Sequence, residues 1–177
     1  MISSPSQTGL VTPIRHEDIE EISHLAREIW YLHYPGIITV AQIDYMLEQR
    51  YGPEHIAAQL SQESACWYKL ETDAGITGFA CTAPGSSESS EKLDKLYVHP
   101  RVQGRGFGYA LMRYVEKCAR ARNKRTLYLQ VNKENTASID FYRRIGFAET
   151  ESVVVNIGGG HVMDDYIMSK QLAVSAV

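Results

Sequence analysis

The sequence has only three cysteines in 177 residues, Cys66, Cys81 and Cys118, an odd number at wide spacing with no C-x-x-C pair. A disulfide framework and a cysteine-ligated zinc are thereby excluded, and the three read as ordinary buried thiols. Its six histidines show no H-x-x-x-H pair or other ligand spacing, so no metal is expected. No apolar run approaches the roughly 18 residues that a membrane-spanning helix needs. The first nine residues lack the basic start and apolar stretch of a secretory signal. These absences predict a cytoplasmic protein with no membrane role.

What is present is ordinary in bulk: 44% hydrophobic and 22% charged residues, a composition that excludes disorder, collagen and coiled coil. The length suits one domain, placed at residues 10–172 between a flexible tail at 1–9 and a short one at 173–177. A formal net charge of −3 hides an asymmetry. Residues 1–90 carry 4 basic against 12 acidic residues, or −8, and residues 91–177 carry 14 against 9, or +5. The two halves therefore suit differently charged ligands.

Periodicity sets the order of elements. Residues 10–15 read as an edge strand, because Pro13 cannot donate to a central ladder. Ile19, Ile22, Leu25, Ala26 and Ile29 recur at helical steps, and that helix ends before Pro35-Gly36. Further helices are expected from Val40 to Tyr51 and from Pro53 onward. Residues 66–70 and 76–82 form a hairpin about Asp73-Ala74-Gly75. A βαβ unit follows, with strands at 92–98 and 126–131 on either side of a helix at 106–123, so its strands should be parallel. A last helix at 136–145 stops at Gly146, and residues 147–157 and 162–172 close the sheet as an antiparallel pair. Cations at the end of the long helix suit its dipole and call for no nucleic acid.

Chemistry concentrates in Leu96-Tyr97-Val98-His99-Pro100-Arg101-Val102-Gln103-Gly104-Arg105-Gly106-Phe107-Gly108. Alternating glycines between a strand and a helix bring backbone amides close to an anion, and the helix N-terminus adds unpaired N–H groups and a positive dipole end. The P-loop is excluded because Tyr109-Ala110 follows the last glycine. The dinucleotide fingerprint is excluded by a G-x-G-x-G spacing. What fits is Q-x-x-G-x-G from Gln103 to Gly108. A second block, Asn135-Thr136-Ala137-Ser138-Ile139-Asp140-Phe141-Tyr142-Arg143-Arg144-Ile145-Gly146-Phe147, places Ala137, Phe141 and Ile145 on one helical stripe for packing. Ser138 and Tyr142 form a neighbouring stripe that can face a ligand.

In these two blocks the sequence resembles the GCN5-related N-acetyltransferase (GNAT) family over about residues 10–172. The resemblance implies a single-domain α/β fold with a mixed six- to seven-stranded sheet flanked by helices. It also implies acetyl-CoA as co-substrate and direct transfer to a primary amine. Leu96, Tyr97, Val98, Gln103, Gly104, Arg105, Gly106, Phe107, Gly108, Asn135 and Ser138 would hold the cofactor. Tyr142 would protonate the departing thiolate. Asp94 is the candidate base, since it shares strand parity with Leu96 and Val98 and lies where relatives often carry an acid. Tyr31, His33, Tyr34, Asp44, Tyr45 and Asp164 are the candidate acceptor contacts, and aromatics with acids suit a small cationic amine such as a polyamine. A protein or peptide amine, a non-catalytic acyl-CoA sensor and a nucleotide-binding protein are the other readings. A homodimer is implied by the resemblance alone.

Overall fold

The computed structural model describes residues 9–173; the expected tails at 1–8 and 174–177 lie outside the described residues. A seven-stranded sheet runs β1 (Leu10–Pro13), β2 (Cys66–Thr72), β3 (Gly75–Pro84), β4 (Ser90–Val98), β5 (Thr126–Asn132), β7 (His161–Gln171) and β6 (Ala148–Gly158) in spatial order. Only β4 and β5 pair in parallel; every other neighbouring pair is antiparallel. The mixed sheet, the hairpin at Asp73-Ala74 and the parallel βαβ unit agree with the sequence reading.

Among the described residues five α-helices cover the two faces. On one lie α1 (Ile19–His33), α2 (Val40–Tyr51) and α3 (Pro53–Ser61). Ile22, Leu25, Ala26 and Ile29 of α1 are buried against Trp67, Ile76 and Phe79 of the sheet, as the helical spacing dictates. Thr39 starts α2 by accepting a hydrogen bond at its Oγ1 from the Gln42 amide, and Pro53 occupies the first turn of α3, where its missing N–H costs nothing. On the other face are α4 (Phe107–Ala121) and α5 (Thr136–Arg144). Phe107, Leu111, Met112, Val115 and Ala119 of α4 close a second core with Leu93, Leu127 and Leu129.

Two packing expectations change. In α5 the buried residues are Ile139 and Tyr142, while Ala137 is exposed and Phe141 and Ile145 are half-buried, so the helix turns a different line inward from the Ala137 stripe. Of the cysteines only Cys81 is buried; Cys66 and Cys118 are half-buried. Among the described residues no helix is long and apolar enough to cross a membrane, and no group of three or more His, Cys, Asp or Glu is placed to hold a metal.

Candidate active site

The site originates in a break between β4 and β5. The strands pair only at Ser90, Glu91 and Lys92 with Thr126, Leu127 and Tyr128. Beyond that point β4 stays with β3 as far as Val98, and β5 stays with β7 as far as Asn132. The two parallel strands therefore part in a V, and the inner edge of β4 from Asp94 to Val98 has no strand partner. A cavity of about 210 Å³ occupies the opening, with Leu96, Tyr97, Val98, Leu129, Val131 and Tyr142 in its walls.

At the mouth of the V the chain turns into α4. Gly104 and Gly106 have φ of +77° and +79°, and the space about both is open, so backbone conformation rather than crowding requires glycine there. Gly108 has no such requirement, and a methyl group on it would make an ordinary contact with Phe141. Gln103 donates from Nε2 to the Val98 carbonyl at 2.9 Å, and His99 Nδ1 accepts from the Arg101 amide at 3.1 Å, which fix the start of the turn. Phe107 points into the core, leaving its backbone, with that of its neighbours at the start of α4, to face an anion. Arg105 lies within the same turn. The N-terminus of α5 meets the cavity from the other side. Asn135 accepts at Oδ1 from the Ser138 amide at 3.4 Å, and Asn135, Ser138 and Tyr142 all line the space. Burial raises the Tyr142 pKa, so its hydroxyl keeps its proton at neutral pH.

Asp94 occupies a setting that strand parity does not anticipate. Cys81 pairs with Lys95 and Thr82 with Leu93, so Asp94 is the extra residue of a β-bulge. The bulge turns Asp94 and Lys95 toward the same face, while Leu96 and Val98 pack against the α4 side. Arg50 of α2 donates from Nη2 to both Asp94 oxygens at 2.7 and 2.8 Å, and Lys92 lies 3.4 Å away. Lys95 contacts the second oxygen and lies over the Tyr51 and Trp67 rings. Burial alone would raise the Asp94 pKa, but the charges of Lys95 and Arg50 outweigh it and hold the carboxyl well below the usual carboxylate range. So engaged, Asp94 is a weak proton acceptor, in contrast to the role its position suggests.

The expected acceptor contacts divide. His33 and Tyr34 line the cavity. Tyr34, Tyr51 and Tyr97 join their hydroxyls at 3.1 and 3.3 Å in a chain across its floor. Burial lowers the His33 pKa, partly offset by a hydrogen bond with Asn135. Tyr31 and Asp44 bond one another on the outer surface of α1 and α2. Tyr45 donates to the Ile157 carbonyl at 3.1 Å and packs beneath Gly158 and Gly159. Asp164 pairs with Lys133 and is largely exposed. These four do not line the cavity, because each helix or strand presents its neighbouring positions there instead. From α2 Met46, next to Tyr45, lines it together with Arg50 and Tyr51 of the following turns, and from β7 Asp165 replaces Asp164.

The sheet, its V and the glycine turn belong to a fold shared with known acetyltransferases. The PaiA N-acetyltransferase of Thermoplasma acidophilum, solved in complex with coenzyme A, superposes with a TM-score of 0.77 at 23% identity over 93% of this chain and 99% of that one. A GCN5-related N-acetyltransferase from Rhodopseudomonas palustris gives 0.78 at 24% identity over 97% and 99%. The model of the acetyltransferase (GNAT) family matches residues 19–147, and the chain belongs to that family. Among curated relatives, an N-acetyltransferase of Methanocaldococcus jannaschii is 39% identical over 62% of this chain and 50% of its own length. The streptothricin acetyltransferase of Streptomyces lavendulae is 31% identical over 49% and 46%. The matches thus span about half the length of these two relatives. The spermidine N(1)-acetyltransferase of Thermoplasma acidophilum is 23% identical over 74% of this chain and 83% of its own.

Proposed function

We propose that the protein transfers an acetyl group from acetyl-CoA directly to a primary amine of a small cationic molecule of the polyamine class. The observation that carries this reading is the V between β4 and β5, open beside a glycine turn that needs positive φ at Gly104 and Gly106. The turn and the start of α4 suit a diphosphate, and the unpartnered edge of β4 suits an amide-bearing arm lying along it as an extra strand. The coenzyme, when bound, supplies an acetyl group activated as a thioester. The backbone N–H groups of Leu96 and Val98, on the open edge of β4, suit the charge growing on the acyl oxygen. Tyr142, neutral and buried at the end of the V, gives its proton to the leaving sulfur in this reading.

The cavity admits the end of an aminoalkyl chain, which suits a small polyamine. The polyamine class is supported by the relative named as a spermidine acetyltransferase and by a carboxylate and tyrosine hydroxyls in the cavity walls. The outer edge of β6, terminal in the sheet and carrying exposed Val154, supports a homodimer paired along it, which sedimentation would read directly. The function is tested by following free thiol released from acetyl-CoA with spermidine, putrescine, amino acids and short lysine peptides. Turnover with the polyamines above the others is expected, and turnover with acidic or neutral acceptors alone would overturn the polyamine assignment.

A further inference from the structure

Asp165 is the one carboxylate in the cavity not engaged by a cation at hydrogen-bond distance. It lies on β7 opposite Asn132 of β5 and Val153 of β6, on the same side of the strand as Met163, which also faces the cavity. Only 7% of the residue is exposed, and its Oδ1 is fully buried with no hydrogen-bond partner among the described residues. A buried carboxylate oxygen left without a donor is costly. The Asp165 side chain lines the cavity, so a cationic group brought there by a ligand would offset that cost.

Resting on the acetyltransferase reading above, we infer that Asp165 is the group that holds the acceptor's ammonium and takes the proton it must lose before attack. The surrounding charges favour that transfer. Arg50, Lys92 and Lys95 line the same cavity and disfavour a further cation in it, so a bound ammonium sheds its proton more readily than in water. The proton goes to the Asp165 carboxylate, and the freed nitrogen pair forms the C–N bond. The C–S bond breaks with its electron pair on sulfur, which takes the Tyr142 proton. Tyr142 is restored by the second proton of the nitrogen, and Asp165 returns the first to solvent.

The groups facing Asp165 are Asp164 beside it, Lys92 from β4, Lys133 from the turn after β5, and the hydroxyl of Tyr34 from α1. Burial and Asp164 push the Asp165 pKa up to about 6 against the opposing pull of the two lysines. A carboxyl in that range is ionised at neutral pH yet far more basic than Asp94.

Two measurements on the full chain decide the matter. In the first, thiol release with spermidine is followed from pH 5 to 9 for the wild type, Asp165→Asn and Asp164→Asn. The wild-type kcat/KM should rise with an apparent pKa near 6. Asp165→Asn should lose at least a hundredfold together with that limb, and Asp164→Asn, which removes one cause of the raised Asp165 pKa, should keep the limb and move it to lower pH. An Asp165→Asn variant within threefold of wild type, or one that keeps the limb, would overturn the assignment. In the second, the Asp165 carboxyl carbon is titrated by NMR with coenzyme A present, with and without spermidine. A fall in its pKa on adding spermidine is expected, and an unchanged titration would overturn the inference. This readout needs no turnover. Absence of thiol release with every amine would instead count against the acetyltransferase reading.

Discussion

Arg50 clasps both carboxylate oxygens of Asp94 through a single nitrogen, tying α2 to the bulge in β4 at 2.7 and 2.8 Å. The pair sets the floor of the cavity, with Lys92 and Lys95 completing a charge cluster of three cations about one anion. Removing the anion leaves three cations facing one another. Asp94→Ala should therefore cost about 3 kcal/mol of stability, measured as a fall in the denaturant midpoint. The sign with pH follows from a depressed pKa. The contribution of Asp94 is present above the ordinary aspartate value near 3.8 and is lost as the pH falls below it toward the lowered folded value. The Asp94→Asn variant should consequently leave any activity limb near pH 6 in place.

Asp165 has the opposite dependence. Its carboxyl binds a proton more tightly in the folded chain than in the unfolded one, so its own contribution to stability is highest below about pH 4, falls as the pH rises to 6, and is level above that. Asp165→Asn should then be more stable than wild type at pH 7.5, by roughly 2–3 kcal/mol, and equal to it at pH 4. Thermal or urea unfolding at the two pH values checks this. A variant at once more stable and less active is the pattern of a buried charge kept for function.

The glycine turn makes a further prediction. Alanine at Gly104 or Gly106 would have to hold φ near +78°, at a cost of about 1 kcal/mol each. Either substitution should weaken coenzyme A binding about tenfold or more, as the amides shift away from the diphosphate. Gly108→Ala, in the first turn of α4 and free of that strain, should leave unfolding stability within about 0.5 kcal/mol of wild type.

Much of the fold is legible in the sequence because its boundaries rest on local chemistry. Thr39 before α2, Gly52-Pro53 between α2 and α3, and Gly146 after α5 each satisfy or terminate a helix by themselves. The glycine turn is legible for the same reason. The cavity's far wall is not. A single extra residue at Asp94 changes no composition or periodicity, yet it reverses the parity by which Asp94 would have joined Leu96. Asp164 and Asp165 are chemically identical neighbours, and only the pairing of β7 with β5 decides which one turns inward. On α2 a step of one helical position separates Tyr45, under the glycine run, from Met46, at the cavity. Tertiary packing supplies those choices.

Tyr142→Phe keeps the buried ring and removes only the hydroxyl. Its kcat should fall about a hundredfold with KM for acetyl-CoA nearly unchanged, because the proton is needed as sulfur leaves and not while the coenzyme binds. Steady-state kinetics with saturating amine separate the two parameters.

A buried ion pair far from the cavity serves as contrast. Lys69 of β2 reaches Asp18 at 2.8 Å with both side chains only 8% exposed. Asp18→Ala leaves Lys69 only the half-exposed Glu71 carboxylate at 3.3 Å and should cost about 2 kcal/mol, seen in urea unfolding, with turnover per folded molecule unaltered.

Isothermal titration of the folded chain with coenzyme A and with acetyl-CoA is the most direct test that the V and its glycine turn form a coenzyme site. One molecule should bind per chain, with heat that disappears in Gly106→Val. Folded protein that gives no heat with either ligand would contradict the assignment of this cleft.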